Sequence, residues 1–343
     1  MDVEGTILVG ETFEPVEGRM VVEDGEIRAI EETATDSSKL VVPAFVNAHT
    51  HVGDAVAKEA AVGLSLDEAV APPESLKHDW LEGASPAAKR EAMGQTLAFM
   101  AQTGTARCLD FREFGLEGAR LLRAAGAESR VDPFIFGSDD PMVLDVADGY
   151  GASGANDADF AEHRAAARAA DKPFAIHAGE PDATDIHPAL DLEPDLLVHM
   201  VHAESEHLDR VADQDVPVAV CPRANLVLGV GRAPIAKLLA HTTVALGTDN
   251  VMLNPPTMFR EMAYTAKAFD VSPEQVLRMA TRAGASILGS DAGVLEPGRP
   301  GRLLVLDGDS PNLSGAADPV AAVVRRATAA DVSRVVLPSA PSS

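Results

Sequence analysis

Val42-Pro43-Ala44-Phe45-Val46-Asn47-Ala48-His49-Thr50-His51 is an apolar run that ends in two histidines one residue apart. An apolar run behind a proline reads as a buried strand. Side chains alternate along a strand, so His49 and His51 share one face and Thr50 takes the other. Two imidazoles on one face at a strand's end can grip one metal ion. Two hydrogen-bonded core histidines would fit the same residues, and the pair alone does not separate the readings.

Outward from this stretch, strand-like runs alternate with helical ones, the pattern of repeated βα units. The strand candidates are Phe45–His49, Thr105–Asp110, Val131–Phe136, Met142–Val146, Pro173–His177, Leu196–Met200, Val216–Cys221 and Val244–Gly247. Eight strands with crossovers predict an α/β fold, a (β/α)8 TIM-like barrel over residues 43–295. Such barrels carry catalysis at the C-terminal ends of their strands. Residues 1–42 read as short strands with an Asp24-Gly25 hairpin signal, and residues 296–343 have the same texture. Neither piece is large enough to fold alone, so the expectation is one small β-sandwich domain built from both chain ends. Residues 338–343 read as a loose tail.

Three more metal-type residues end apolar runs: His177 after Phe174-Ala175-Ile176, His199 after Leu196-Leu197-Val198, and Asp249 after the run Val244–Thr248. Three histidines and a carboxylate suit a divalent metal with one open position for water.

Pro43-Ala44-Phe45-Val46-Asn47-Ala48-His49-Thr50-His51 resembles the first-strand motif of the amidohydrolase superfamily. The likeness continues through Ile176-His177-Ala178-Gly179-Glu180, Leu197-Val198-His199, Cys221-Pro222-Arg223-Ala224-Asn225, Leu246-Gly247-Thr248-Asp249-Asn250 and Gly293–Gly301. Order and spacing are most similar to the branch of cytosine deaminases, chlorohydrolases and adenosylhomocysteine or guanine deaminases. The resemblance implies His49, His51, His177 and Asp249 as metal ligands. It implies Glu180 as proton shuttle, and His199 as the residue that orients water or polarises substrate. Two departures stand out. Segment 141–149 lacks the lysine that bridges two metals in binuclear members, so one metal ion is expected: zinc, with iron or manganese as alternatives. Ala44 replaces a usual glycine but touches no ligand.

The chemistry of the residues agrees. A divalent ion lowers the pKa of bound water to about 7. Asp249 could take its proton, and Glu180 could protonate a ring nitrogen or leaving amine. The expected reaction is metal-dependent hydrolysis of a carbon–nitrogen bond, deaminating a nucleobase- or nucleoside-like heterocycle. Hydrolysis of a cyclic amide, imidazolone or chloro-heterocycle is the alternative at the same site. A silent relative serving as a binding protein is the alternative of another class.

For substrate contacts, Arg112, Glu113, Arg223 and Asn225 follow candidate strands at the predicted mouth. The long connection over residues 52–86 holds Lys58, Lys77, His78 and Trp80, for which solvated or packing roles are the default. His202 is expected beside the site rather than in it, and His78, His163, His187, His207 and His241 on the surface.

The chain's 53 acids against 28 bases give a net charge of −25. That charge argues against nucleic acid and anionic membrane as partners. It fits solubility in a salt-rich cytoplasm, with a small-molecule substrate; self-association into a homo-oligomer stays open. Cys108 and Cys221 are too few for a disulfide framework, and the N-terminal residues lack a leader pattern.

Overall fold

The computed structural model describes residues 1–71 and 75–337. The expected tail at 338–343 lies outside the described residues. The chain begins with β1 (Asp2–Val9), β2 (Glu14–Glu23), β3 (Glu26–Glu32) and β4 (Leu40–Pro43). Glu23 pairs with Glu26 across Asp24-Gly25. Both turn residues have positive φ, 52° and 78°, as a two-residue hairpin of this twist requires.

The central sheet follows: β5 (Phe45–His51), β6 (Thr105–Arg112), β7 (Asp132–Gly137), β8 (Gly149–Gly154), β9 (Phe174–Ala178), β10 (Leu196–His199), β11 (Val218–Val220), β12 (Val244–Leu246) and β13 (Asp249–Asn250). Neighbours are parallel throughout. β12 and β13 are two halves of one strand bent at Gly247-Thr248. The first half pairs with β11 and the second with β5, so among the described residues eight strands close into a barrel. Ala48, Leu109, Phe111, Phe136, Ala175, Val198, Ala219 and Ala245, drawn from seven of those strands, share one buried cluster.

The chain then returns through β14 (Leu303–Leu306) and β15 (Val332–Val336). These join the N-terminal strands in the order β15-β14-β4-β1-β2-β3. The ends are thus hydrogen-bonded as one six-stranded sheet, where a sandwich was expected. β4 runs into β5 across Ala44 alone, so sheet and barrel are fixed to each other by the strand that carries the histidine pair.

One expected strand is corrected. Pro141–Asp145 is a 3-10 helix, opened by Asp140, whose carboxylate accepts from the Met142 N–H at 2.7 Å. The fourth barrel strand is β8, Gly149-Tyr150-Gly151-Ala152-Ser153-Gly154. A Cβ on Gly149 or Gly151 would lie 2.8 Å from the ring of Phe136 or Phe111. Glycine here lets two aromatic rings fill the barrel, and it removes the apolar run by which strands are recognised. β8, like segment 141–149, has no lysine. Among the described residues no helix is long and apolar enough to cross a membrane.

Candidate active site

The C-terminal ends of β5, β9, β10 and β13 meet over the barrel. His49 Nε2 lies 3.3 Å from an Asp249 carboxylate oxygen, and His51 Nε2 lies 3.5 Å from the same oxygen. His177 Nε2 is 3.3 Å from His49 Nε2. His199 Nε2 is 3.5 Å from Glu180. Three overlapping sets, His49–His177–His199, His49–His51–Asp249 and Glu180–His199–Asp249, each hold their ligand atoms within 4.8 Å.

Local structure aims these groups. The β5–β6 register shifts between Asn47 and Thr50, and His49 lies inside that shift with His51 just beyond it. His199 and Asp249 have left-handed φ of 75° and 60°. Such backbone costs roughly 1–3 kcal/mol per residue and persists where the surroundings impose it. Asn47 helps by donating its side-chain amide to Thr248 Oγ1 at 2.7 Å and accepting from the Thr248 N–H. At Gly247 a Cβ would stand 2.7 Å from the His49 Cβ, so only glycine lets the last strand pass the first this closely.

Outer hydrogen bonds fix which nitrogen of each ring is bare. His51 Nδ1–H donates to Glu113 at 2.8 Å, His177 Nδ1–H to the Ala152 carbonyl at 2.9 Å, and His199 Nδ1–H to the Asn225 side-chain oxygen at 3.1 Å. Each ring therefore turns an unprotonated Nε2 inward. Burial, then the neighbouring imidazoles, holds His177 well below the usual histidine range. Burial opposes ionisation of Asp249, yet the surrounding histidines hold its carboxyl below the usual range. Neutral imidazoles around an anionic carboxylate are the donor set of a divalent metal. The bare Nε2 of His177 stands 3.3 Å from His49 Nε2, which itself faces the Asp249 carboxylate, and this crowding of donor atoms fits a cation among them.

Glu180 is different. Its Oε1 is buried without a partner. Burial, then the Asp249 charge, pushes its carboxyl well above the usual range. A neutral acid so placed can give a proton.

A cavity of about 670 Å³ opens on these groups, lined also by Phe111, Tyr150, Ser138, Lys77, His78 and His163. His78 and His163, expected on the surface, thus line it. Of the expected substrate contacts, Glu113 and Arg112 border the cavity but are engaged with each other. Arg112 is also paired with Asp110 and is almost wholly buried. Arg223 is corrected. It turns away to bond Glu261 at 2.6 Å and the Pro255 carbonyl at 2.9 Å, tying the helix Pro222–Leu228 to the helix Met258–Ala268. Asn225 serves His199 rather than facing the cavity. Trp80 is half exposed on the outer face, and His202 bonds the Val230 carbonyl.

Lys77 departs furthest from the solvated role that its sequence context suggests. It is buried at the mouth, pairs with Glu113, and sits 3.2 Å from His51 Nδ1. A second cluster, His187–Glu206–His207, has three ligand-type side chains. There His207 Nδ1 accepts from the Glu204 N–H, and Arg210 points at His187 Nδ1. Both rings so carry their proton on Nε2, and in His187 that nitrogen faces Glu206 at 3.6 Å, so the lone pairs are already spent and the cluster is wrong for an ion.

The Amidohydrolase family profile matches residues 40–337. The chain belongs to the amidohydrolase family. A protein of Methanothermobacter thermautotrophicus, named only provisionally, as an aminohydrolase, is 32% identical over 97% of this chain and 96% of its own length. The 5-methylthioadenosine/S-adenosylhomocysteine deaminase of Halobacterium salinarum is 28% identical over 96% of this chain and 88% of its own. Among solved structures, a zinc-bound adenosine deaminase of Xanthomonas campestris superposes with a TM-score of 0.83 at 21% identity, over 98% of this chain and 91% of that one. A zinc complex of atrazine chlorohydrolase from Arthrobacter aurescens gives 0.82 at 20%, over 98% and 93%. At those identities the two structures speak for the fold.

Proposed function

We propose that this chain is a divalent-metal-dependent hydrolase that deaminates an aminated heterocycle, a nucleobase or nucleoside without phosphate or carboxylate. The observation that carries the reading is the convergence of four strand-end ligands with Glu180 and His199 at one cavity, which all of them but the fully buried His49 line. The relative named as a deaminase over most of this chain supports the reaction type.

His49, His51, His177 and Asp249 would hold the ion, and zinc is the one proposed. When bound, it supplies the Lewis acidity that makes water nucleophilic near neutral pH. Asp249, kept anionic, accepts a proton from the attacking water. Glu180, kept neutral, delivers one to the ring nitrogen or the departing amine. His199, oriented by Asn225, presents Nε2 to the same space and positions the reacting carbon's substituents. Phe111 and Tyr150 give the cavity walls for a flat ring.

Charge supports the substrate class. Lys77 and Arg112 are both engaged by Glu113, while Asp67, Asp139, Asp157 and Asp182 line the cavity. A phosphate or carboxylate would meet repulsion there.

The test is ammonia release by zinc-loaded protein from aminated purines, pyrimidines, pterins and their nucleosides, each beside its phosphorylated form. Turnover of an uncharged member, with the phosphorylated form rejected, is expected. Silence across the panel with metal bound would refute the reading. Glu180→Gln should lower kcat about 10²–10⁴-fold and keep the metal, whereas Asp249→Asn should weaken both.

A further inference from the structure

We propose that Lys77 is a positioning residue of the metal centre. Acting through Glu113, it holds His51 in its ligating tautomer, so that seating of the segment inserted after β5 and metal binding are coupled. This goes beyond the reaction assigned above and rests only on the reading of the histidine cluster as a metal site.

Three elements meet at the Glu113 carboxylate. One oxygen accepts from His51 Nδ1–H at 2.8 Å and pairs with Lys77, while the other pairs with Arg112. Arg112 is the last residue of β6, at the mouth of the barrel. It follows Asp110 on β6 and its guanidinium fills the space beside Gly53, where a Cβ would lie 2.1 Å from it. Lys77 comes from elsewhere, the helix Leu76–Gly83 of the inserted segment.

Its burial is what calls for explanation. Lys77 is 4% exposed, and a buried ammonium is costly unless it is paired. Among the described residues, the carboxylate it pairs with is Glu113. The helix is therefore seated by an ion pair whose acceptor also sets the tautomer of a ligand. A carboxylate behind a ligating histidine fixes ring orientation and raises its basicity. Without Lys77, Glu113 is free to turn toward Arg112 and release His51. Coupling of this kind is reciprocal, so the metal must in turn help to seat the helix.

Zinc affinity, measured by competition with a chromophoric chelator, tests this on wild type, Lys77→Met, Lys77→Arg, Glu113→Gln and the Lys77→Met/Glu113→Gln double variant. Wild type should bind one equivalent. Lys77→Met should weaken binding roughly 10–100-fold, and Glu113→Gln at least as much. The double variant should match Glu113→Gln alone, because Lys77 acts through Glu113. Lys77→Arg should recover most of the loss. Metal-free melting temperatures of wild type, Lys77→Met and Lys77→Arg should stay together, while Glu113→Gln, which leaves Arg112 and Lys77 short of a partner, should melt lower. Zinc should slow hydrogen exchange in the helix Leu76–Gly83 of wild type and not of Lys77→Met. Wild-type affinity in Lys77→Met, a further loss in the double variant, or weak binding that tracks a lowered metal-free melt without rescue by arginine would overturn the latch. Failure of wild type to bind zinc would take down the metal reading and the latch together.

Discussion

Burial sorts the carboxylates of this barrel by what stands beside them. Asp54 accepts from Asn250 Nδ2 and the Met252 N–H, yet burial pushes it up to about 7. Asp110, which accepts from the Val52 N–H, is pushed by burial to about 6. Burial opposes ionisation of Glu113 as well, but Arg112, Lys77 and His51 hold it well below the usual range. The signs of linkage are then opposite. Asp54 and Asp110 bind protons more tightly folded than unfolded, so their share of stability is full below about pH 4 and is lost as pH rises through 6 to 7. The Glu113 share is present above the unfolded carboxylate range and is lost in acid. Asp54→Asn should therefore cost metal-free protein more stability at pH 5 than at pH 8, measured by urea midpoints. An equal cost at both would contradict the raised value. The same contrast marks what could be read ahead. His49, His51, His177, His199 and Asp249 each close an apolar run, a purely local signal. The engagement of Arg223 by Glu261, 38 residues later, and of Lys77 by Glu113 depends on elements meeting in space, and no local pattern carries it.

At the scale of elements, β8 shows why one barrel strand was misplaced while seven fell near their expected positions. Strand recognition rests on apolar side chains, and β8 yields that volume to its neighbours. Its interior is filled by Phe111 and Phe136, and Phe111 in turn packs edge-on against His49 and His177, with centroids 4.6 and 4.9 Å apart. Gly151 so bears on the site at one remove. Gly151→Ala should force Phe111 outward, destabilise by about 1–3 kcal/mol as overpacking does, and weaken zinc binding. Trimming the ring with Phe111→Leu in the same chain should restore part of both. Denaturant midpoints with a parallel zinc titration check it, and a Gly151→Ala protein equal to wild type in both would show that the strand has slack. The pairing of the chain ends was legible for a simpler reason. Each end pairs its own strands but is too small to fold alone, and the other end supplies the rest of the sheet.

Over the whole molecule, charge is the dominant feature, and 25 acids have no base to answer them. Exposed pairs such as Arg90–Glu128, Arg123–Asp148 and Arg168–Glu193 offset part of this. Pairs of that kind are worth about 0–1 kcal/mol each, while the remaining negative charges repel at longer range. Salt screens both, but it takes more from the long-range repulsion than from charges in contact. The Debye length falls from about 10 Å at 0.1 M to about 3 Å at 1 M. The folded state concentrates the charge that the unfolded chain spreads out, so screening favours folding. The melting temperature of metal-free protein should rise steadily from dilute buffer to molar potassium chloride. Chloride is the right salt because sulfate would strengthen apolar burial on its own account. A chelator should be present throughout, since salt would also weaken any attraction between the acidic mouth and a divalent ion, and that change runs the other way. Equal melting in dilute buffer and molar chloride would mean that the exposed pairs already balance the excess.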